Sequence, residues 1–241
     1  MTDELPPVAR LLWSGHRPTG RGPKPALTLD RIVAAAVEVA DADGIGALSM
    51  QRVAKQLGAA TMSLYRHVPS KDDLVSLMFD AVMGDPPRLP ADDWRAALRQ
   101  WAGATRELYL RHPWVLVVGT GNRFMGPNEA AWGEAAMRAL LDGGLPLAVV
   151  TEALLSVSAF TSGATRLEID PGLGRDTDGH TGPVLDPAVF VEFGGPDRFP
   201  ALAAVAAAGS PDDRGAGAGA GSVFAFGLAA LLDGIAALVR E

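Results

Sequence analysis

Two short amphipathic segments joined by a glycine turn constrain the possible fold of this chain most strongly. Residues 50–57 read MQRVAKQL, with Ser49 before them and Gly58 after them. Their apolar residues fall on one helical face, and a serine before a helix can cap its first turn. A second short helix is predicted over Thr61–His67. This spacing predicts a helix-turn-helix unit, whose second helix can enter the major groove of DNA.

Positive charge is concentrated around this unit. The net charge of the chain is −7, which argues against a protein that binds nucleic acid over its whole surface. Residues 49–71 nevertheless contain no acidic residue, and their basic residues are Arg52, Lys55, Arg66 and Lys71. A second acid-free stretch holds Arg17, Arg21 and Lys24. The pattern favours one DNA-facing end of the molecule, and the alternative interpretation is a solvated helix face.

The rest of the chain shows helical periodicity, and no alternation typical of strands competes with it. We therefore predict an all-α fold. Further helices are expected over residues 28–44, 71–84, 92–111, 128–142, 146–168, 200–208 and 223–240. Segments 169–199 and 209–221 are expected to be a loop and a linker, because they are rich in Gly, Pro and Asp or in Gly and Ala.

Breaks in the helical pattern suggest three parts. Residues 1–27 are interpreted as a flexible basic arm, because the Pro and Gly residues of RPTGRGPKP cannot hold a helix. This arm would lie in an adjacent minor groove, or it would be a disordered tail. Residues 28–84 would form the DNA-binding domain, including a connecting helix. Three prolines mark its end, and residues 85–241 would form a second helical domain.

The composition excludes several kinds of site. The chain has no cysteine, which rules out disulfides and thiolate zinc sites. Its four histidines lack metal-ligand spacing, and no nucleophile elbow or phosphate loop occurs. We therefore expect no enzyme activity, no metal and no cofactor. The apolar runs look too short for a membrane span and the first residues lack a basic secretory signal, so a cytoplasmic location is expected.

The segment GIGALSMQRVAKQLGAATMSLYRHVPSKDDLV resembles the DNA-binding domain of the tetracycline-repressor (TetR) family. The matching features, in order, are a helix ending in DADG, Leu48-Ser49, Val53-Ala54, Leu57-Gly58, Leu64-Tyr65, His67 and Pro69-Ser70-Lys71. Three later segments, WRAALRQWAGATRELYLRHPWV, GPNEAAWGEAAMRALLDGGL and FAFGLAALLDGIAALV, resemble the ligand-binding domain of the tetracycline-repressor branch. The resemblance implies a three-helix head, a fourth connecting helix, and a helical domain for effector binding and dimerisation.

The resemblance also implies roles for residues of the head. Those that would face base edges are Gln51, Thr61, Met62, Ser63 and Arg66. Arg66 is the strongest candidate, because a guanidinium can donate two hydrogen bonds to guanine and so discriminate by about 1–3 kcal/mol. Those that would contact the DNA backbone are Tyr65, His67 and Lys71.

For the C-terminal domain, the resemblance implies a homodimer through the helices over residues 146–168 and 223–240. The apolar residues offered for this contact are Leu154, Leu155, Phe160, Leu228, Leu231, Leu232, Ile235 and Leu238. Close approach is expected at Gly227, Ala230 and Gly234.

An unidentified, apolar small-molecule effector is also implied. The residues expected to line its pocket are Trp101, Tyr109, Trp114, Phe124, Trp132 and Met137, although core packing also explains each of them. Binding of a metal-bound tetracycline is not expected, because Val117 and Pro87 stand where the resemblance places histidines.

Together these features predict a dimeric transcriptional repressor that binds a palindromic double-stranded operator and is released by the effector. Two alternatives stay open from the sequence, a regulator that needs no effector and an activator.

Overall fold

The computed structural model describes residues 5–14, 27–119, 121, 123–169, 194–207 and 220–239. This part of the chain holds helices and turns without a β-strand, which confirms the all-α fold. Its α-helices are α1 (Pro7–Trp13), α2 (Leu29–Asp43), α3 (Met50–Gln56), α4 (Thr61–Tyr65), α5 (Lys71–Met83), α6 (Trp94–Arg111), α7 (Trp114–Val118), α8 (Pro127–Asp142), α9 (Val150–Ile169), α10 (Gly195–Arg198), α11 (Pro200–Ala207) and α12 (Ala220–Ala236). Short 3-10 helices occur at Ile45–Ala47 and Leu147–Val149.

The chain divides into two compact units. The first comprises residues 1–155 and 238–241, and the second comprises residues 156–237. The first unit continues past residue 84, where the sequence suggested a domain boundary, because α5 packs against both α2 and α8. The helix-turn-helix region and the beginning of the C-terminal region therefore share one compact unit.

Helices α2 to α5 form the helix-turn-helix head. Thr28, Ser49 and Ser70 each accept a hydrogen bond from a backbone N–H in the first turn of the helix that follows. Gly58 has a positive φ of 64°, which lets the chain turn sharply between α3 and α4. The caps predicted at Thr28 and Ser49 are confirmed. The buried core of the head includes Ile32, Ala36, Val53, Leu64, Val68, Leu74 and Met78.

Helix α4 ends at Tyr65, two residues before its predicted end. The N–H of His67 donates to the carbonyl of Leu64 at 2.8 Å, which is the tighter spacing of a 3-10 turn. Pro69 follows, and proline disfavours a helical conformation in the residue before it. The recognition helix is therefore short.

The expectation of a flexible arm over residues 1–27 is wrong for α1. Val8 and Leu12 are 2% and 7% exposed and belong to the core of the head. The indole N–H of Trp13 donates to the carbonyl of Met125 at 3.0 Å. Pro7 is tolerated in the first turn, and apolar residues four positions apart give the helix a face to bury. The basic residues of the acid-free stretch that follows α1 lie outside the described residues: Arg17, Arg21 and Lys24.

The helices after residue 84 follow their predicted positions with small shifts. Helices α7 and α10 were not predicted, and α10 lies in a segment expected to be a loop. Helix α12 begins at Ala220, inside the expected linker, and ends four residues before the predicted Arg240. Most of segments 169–199 and 209–221 lies outside the described residues.

One segment, Leu147–Ile169, is long and apolar enough to cross a membrane by length and composition, contrary to the expectation from the sequence. Within the chain, Val157, Thr161 and Thr165 of this segment are fully buried. Core helices of soluble proteins pass the same test of length and composition. The segment is therefore weak evidence for a membrane location.

Candidate nucleic-acid interface and the helices that support it

Helix α4 has one buried face and one solvent-facing side. Leu64 is fully buried beneath it and holds it against the core of the head. Met62 is 71% exposed, Tyr65 is 43% exposed, and Arg66 at the helix end is also exposed. A helix that enters a groove requires this arrangement, with its outer side chains available to base edges.

All eight residues predicted to contact DNA lie at the surface. The exposed members are Gln51, Met62, Tyr65, Arg66 and Lys71, and the half-buried members are Thr61, Ser63 and His67. Because α3 packs against α4, the residues of these two helices come together, and Lys71 follows as the first residue of α5. Their contacts with DNA stay a prediction.

Positive charge remains available around α4. The guanidinium of Arg52 forms an ion pair with Asp43, so that this arginine ties α3 to the end of α2. In the described part of the chain, no acidic side chain forms an ion pair with Lys55, Arg66 or Lys71. These three cations are therefore the ones suited to phosphate contacts.

Asp80, in the last turn of α5, joins this helix to the start of α8. Its Oδ1 accepts hydrogen bonds from the backbone N–H groups of Asn128 at 2.9 Å and Glu129 at 3.2 Å. The side-chain amide of Asn128 donates to the Asp80 carbonyl at 2.9 Å. Burial raises the pKa of the Asp80 carboxyl, and the two backbone donors and Arg123 oppose this shift. A Cβ on Gly126 would lie only 2.1 Å from Oδ1.

Arg123 makes a second contact between α5 and α8. Its guanidinium carbon lies 3.3 Å from the ring centre of Phe79, a cation–π contact. The same guanidinium donates to both carboxylate oxygens of Glu129, at 2.5 and 2.7 Å. Bidentate pairs of this kind fix orientation as well as distance. The start of α8 is therefore held against α5 by side chains from both helices.

Trp132 fixes the end of α5. Its indole N–H donates to the carbonyls of Met83 and Gly84, at 3.2 and 3.1 Å. These carbonyls at the helix end have no partner within the helix, so the indole satisfies them. The indole N–H of Trp101 in α6 donates in turn to the Trp132 carbonyl at 3.0 Å. A series of hydrogen bonds thus runs from α5 through α8 to α6.

Asp41 ties the head to α6 and α7. Its Oδ1 accepts hydrogen bonds from His112 Nδ1 and from Trp114 Nε1, both at 2.7 Å. His112 ends α6 and Trp114 begins α7, whereas Asp41 lies in the last turn of α2. Sequence reasoning missed Asp41 and Asp80, and the one available signal was the isolated acid of Asp80 within the apolar run LVSLMFDAVM.

The six residues expected to line an effector pocket lie in different surroundings. The rings of Trp101 and Trp132 are buried and meet edge to face, with centroids 6.4 Å apart. Trp114 is buried in the core of the head beside Asp41. These three indoles pack helices together.

The other three residues expected at that pocket are also apart from one another. Tyr109 packs against the core of the head, and burial raises the pKa of its phenol. Phe124 is exposed, and Met137 lines a cavity of about 190 Å³ beside Leu147 and Val150. Met137 is the one member of the six that lines this cavity.

The structure divides the apolar residues of α9 and α12 into two groups. The residues buried within the subunit are Leu154, Leu228, Leu232 and Ile235, so the expectation that they face a second subunit is wrong. Phe160 stacks on Phe224, and a Cβ on Gly227 would lie 2.4 Å from the Phe160 ring. Gly227 therefore permits packing inside the subunit. Exposed residues of the two helices include Leu155, Ala159, Gly163, Phe226, Ala230 and Gly234.

Comparisons with known proteins agree with this architecture. Residues 32–78 match the bacterial regulatory proteins of the tetR family, and residues 86–239 match the tetracyclin repressor-like C-terminal domain. The HTH-type transcriptional repressor DrrR1 of Streptomyces coeruleorubidus is 39% identical over 243 residues, which cover 96% of this chain and 85% of that protein. Tetracycline repressor protein class A from transposon 1721 of Escherichia coli is 26% identical over 85% of this chain and 88% of its own length.

A solved structure supports the same relationship. The TetR family protein ActR of Streptomyces coelicolor, in complex with actinorhodin, has a TM-score of 0.73 and 26% identity, and the match covers 89% of this chain and 98% of ActR. The matched regions together span the head and nearly all of the chain after it. This chain therefore belongs to the tetR family of bacterial regulatory proteins and is a DNA-binding transcriptional regulator.

Proposed function

We propose that this protein is a cytoplasmic repressor that binds a palindromic operator as a homodimer and leaves it when a small molecule binds to the C-terminal domain. The observation that carries the proposal is the exposed α4, whose connecting helix α5 is fixed to α8 through Asp80 and Trp132. The relative DrrR1 is named a repressor, and the related ActR holds actinorhodin. The relationship to DrrR1 supports a role as a repressor, and the relationship to ActR supports a small-molecule effector.

The DNA contact would use α4 and its neighbours. Arg66 would read a base edge, together with the side chains of Gln51, Thr61, Met62 and Ser63. Phosphate contacts would come from Tyr65, His67 and Lys71. In support, these side chains share one surface of the head in which the basic groups lack acidic partners among the described residues.

The dimer contact would use the exposed faces of α9 and α12. Leu155, Ala159 and Gly163 recur at helical spacing on α9, and Phe226, Ala230 and Gly234 do so on α12. The small residues would let the helices of two subunits approach closely, while Phe226, at 80% exposure, would be buried. A two-fold dimer of this kind would place two heads on half-sites roughly 34–36 Å apart.

Release would follow from a shift of α8 and α6 that α5 transmits to the head. An effector held among these helices in the C-terminal domain would favour one arrangement of the hydrogen bonds at Asp80 and Trp132 over another. Linkage requires that operator DNA weaken effector binding by the same factor, commonly about 5- to 150-fold.

The test is selection of bound sequences from random duplex DNA with the purified full-length protein. We expect enrichment of a palindrome whose half-sites lie about one helical turn apart. Enrichment of an asymmetric site would contradict the dimeric reading, and absence of any enriched sequence at moderate salt would contradict the proposed operator binding. The selected duplex then serves to screen small molecules for release.

A further inference from the structure

A cavity of about 630 Å³ lies in the first compact unit, among α1, α2, α5 and the start of α8. This volume falls within the range of roughly 300–1,000 Å³ that small-molecule sites occupy. None of the six aromatic and methionine residues expected at the effector pocket lines it. Most of its walls are apolar, and these residues are Leu11, Leu12, Val33, Ala34, Val37, Leu77, Ala81, Val82 and Pro127.

Three of the four polar side chains in the described lining of this cavity are carboxylates. Its lining includes the carboxylates of Asp30, Glu38 and Asp80 and the amide of Asn128, and no lysine, arginine or histidine occurs among its described lining residues. Asp30 and Glu38 are exposed at positions eight residues apart on α2, which corresponds to about 12 Å along the helix. Oε2 of Glu38 accepts a hydrogen bond from the side-chain amide of Gln56 at 2.5 Å, and this neutral donor leaves the charge of the carboxylate in place. Asp80 is committed to the backbone of α8 and forms a fixed polar wall.

We propose that this cavity binds compact apolar molecules that carry a positive charge. Removal of the apolar part from water would supply most of the affinity, because the walls are mainly aliphatic. The carboxylates of Asp30 and Glu38 would select a cation over a neutral or anionic molecule of the same shape. The site differs from an effector site inside the C-terminal domain, since most of its walls belong to α1, to α2 of the head and to the connecting helix α5, and only Pro127 and Asn128 come from α8.

The position of the cavity gives an occupant a route to regulation. An occupant would contact α2 in the head, α5, and Asn128 beside the Asp80 cap. It would therefore bias the angle between the head and α8, and this consequence rests on the proposed operator binding. Binding of a molecule in the cavity does not depend on operator binding, so the test of the site is made without DNA.

The experiment compares three naphthalene probes by calorimetric titration of the full-length protein. These are 2-(1-naphthyl)ethylammonium, the neutral 2-(1-naphthyl)ethanol and the anionic 1-naphthylacetate. We expect the cation to bind most tightly. In a variant with Asp30→Asn and Glu38→Gln, the affinity for the cation should fall by about three- to tenfold, while the affinity for the alcohol stays the same. A matched control, Asp92→Asn with Glu107→Gln, removes two exposed carboxylates outside the cavity and should change neither affinity.

A second variant tests the location. Ala34→Phe fills the cavity from α2, whereas Ala42→Phe adds the same ring at an exposed position of α2 outside it. The first should abolish binding of the cation and the second should preserve it. If Ala34→Phe does not fold, Ala81→Phe fills the cavity from α5. Equal affinity of the three probes, no binding at all, or unchanged binding by a folded cavity-filling variant would each overturn the proposal.

Discussion

The Oδ1 atom of Asp80 lies 2.9 Å from the backbone nitrogen of Asn128, so that a side chain of α5 caps the first turn of α8. Helix α8 starts with Pro127 and lacks a capping side chain of its own. The cap therefore comes from a residue 48 positions away and joins the connecting helix to the C-terminal region. Substitution of Asp80, or of a residue at the start of α8, is expected to change the stability of the fold. It is also expected to change the factor by which effector binding weakens DNA binding.

We predict that Asp80→Ala lowers the free energy of unfolding by about 1–3 kcal/mol, because two partly buried N–H groups lose their acceptor. The measurement is urea unfolding of the full-length protein followed by circular dichroism. Asp72→Ala is the control, since Asp72 is exposed in the first turn of the same helix. Equal losses for the two variants would show that the Asp80 cap contributes nothing specific.

The pKa of Asp80 gives a prediction for acid pH. Burial raises it above the ordinary value of 3.8, so we expect the carboxyl carbon of Asp80 in the NMR spectrum to titrate above 3.8. As pH rises from 3.8 through the folded pKa, the folded chain keeps a proton that the unfolded chain has lost. The unfolding free energy of the wild type should therefore fall relative to that of Asp80→Asn over this window. A midpoint at or below 3.8 would contradict the prediction.

The half-buried phenol of Tyr109 gives a prediction for alkaline pH. The chain has two tyrosines, so Tyr65→Phe leaves Tyr109 as the only phenol. Burial raises the pKa of Tyr109, and we expect its phenolate absorbance to develop above pH 10. The unfolded chain ionises first, so stability present below pH 10 should be lost as pH rises toward the folded pKa. Titration of the folded variant at pH 10 or below would disagree with this burial.

Substitutions on α4 should separate base reading from phosphate contact. We predict that Arg66→Ala relaxes preference at one base position of each half-site and costs about 1–3 kcal/mol per half-site of the selected operator. Lys71→Ala should weaken all sequences alike and reduce the salt slope by about 1 per subunit, and thus by about 2 for the dimer. Arg52→Ala is the control, because this arginine is paired with Asp43. Fluorescence anisotropy at several salt concentrations measures each effect, and an unchanged preference in Arg66→Ala would reject its role.

The exposed aromatic ring on α12 should report on the dimer. Phe226→Glu places a charge at the proposed subunit contact, and we predict that it shifts the protein toward monomer in sedimentation velocity experiments. Leu110→Glu changes an exposed leucine on α6 and should leave the dimer intact. Loss of the dimer in both variants, or in neither, would exclude this face.

Most helices could be predicted from the sequence because their caps, turns and apolar faces are set by residues close together in the chain. The caps at Thr28 and Ser49 and the turn at Gly58 depend on neighbouring residues, and the structure places all three as expected. Helix α1 is hard to predict because Pro and Gly residues dominate the stretch that follows it and give the whole N-terminal region the composition of a loop. Its stability comes from burial of Val8 and Leu12 in a core formed by distant helices.

The links between helices could not be predicted from the sequence. Asp41 meets Trp114 across 73 positions and Asp80 meets Asn128 across 48, and no helical periodicity relates such pairs. For the apolar residues of α9 and α12, too, the sequence does not reveal which neighbour each residue packs against. Periodicity identified two amphipathic helices, but only packing shows that Leu232 faces its own subunit while Phe226 faces solvent. The surface position of the eight residues predicted to contact DNA agrees with expectation, since a short helix must bury one side.

The lack of space at Gly126 links two positions in the evolution of this protein. A Cβ at residue 126 would lie 2.1 Å from Asp80 Oδ1 and 2.7 Å from Asp80 Cβ, so the aspartate occupies the volume that any larger residue would need. A chain that acquires a side chain at residue 126 must therefore lose the aspartate or move α8 away from α5. Among descendants of this sequence, a side chain at residue 126 is therefore expected together with a smaller residue at position 80 or with a displaced α8.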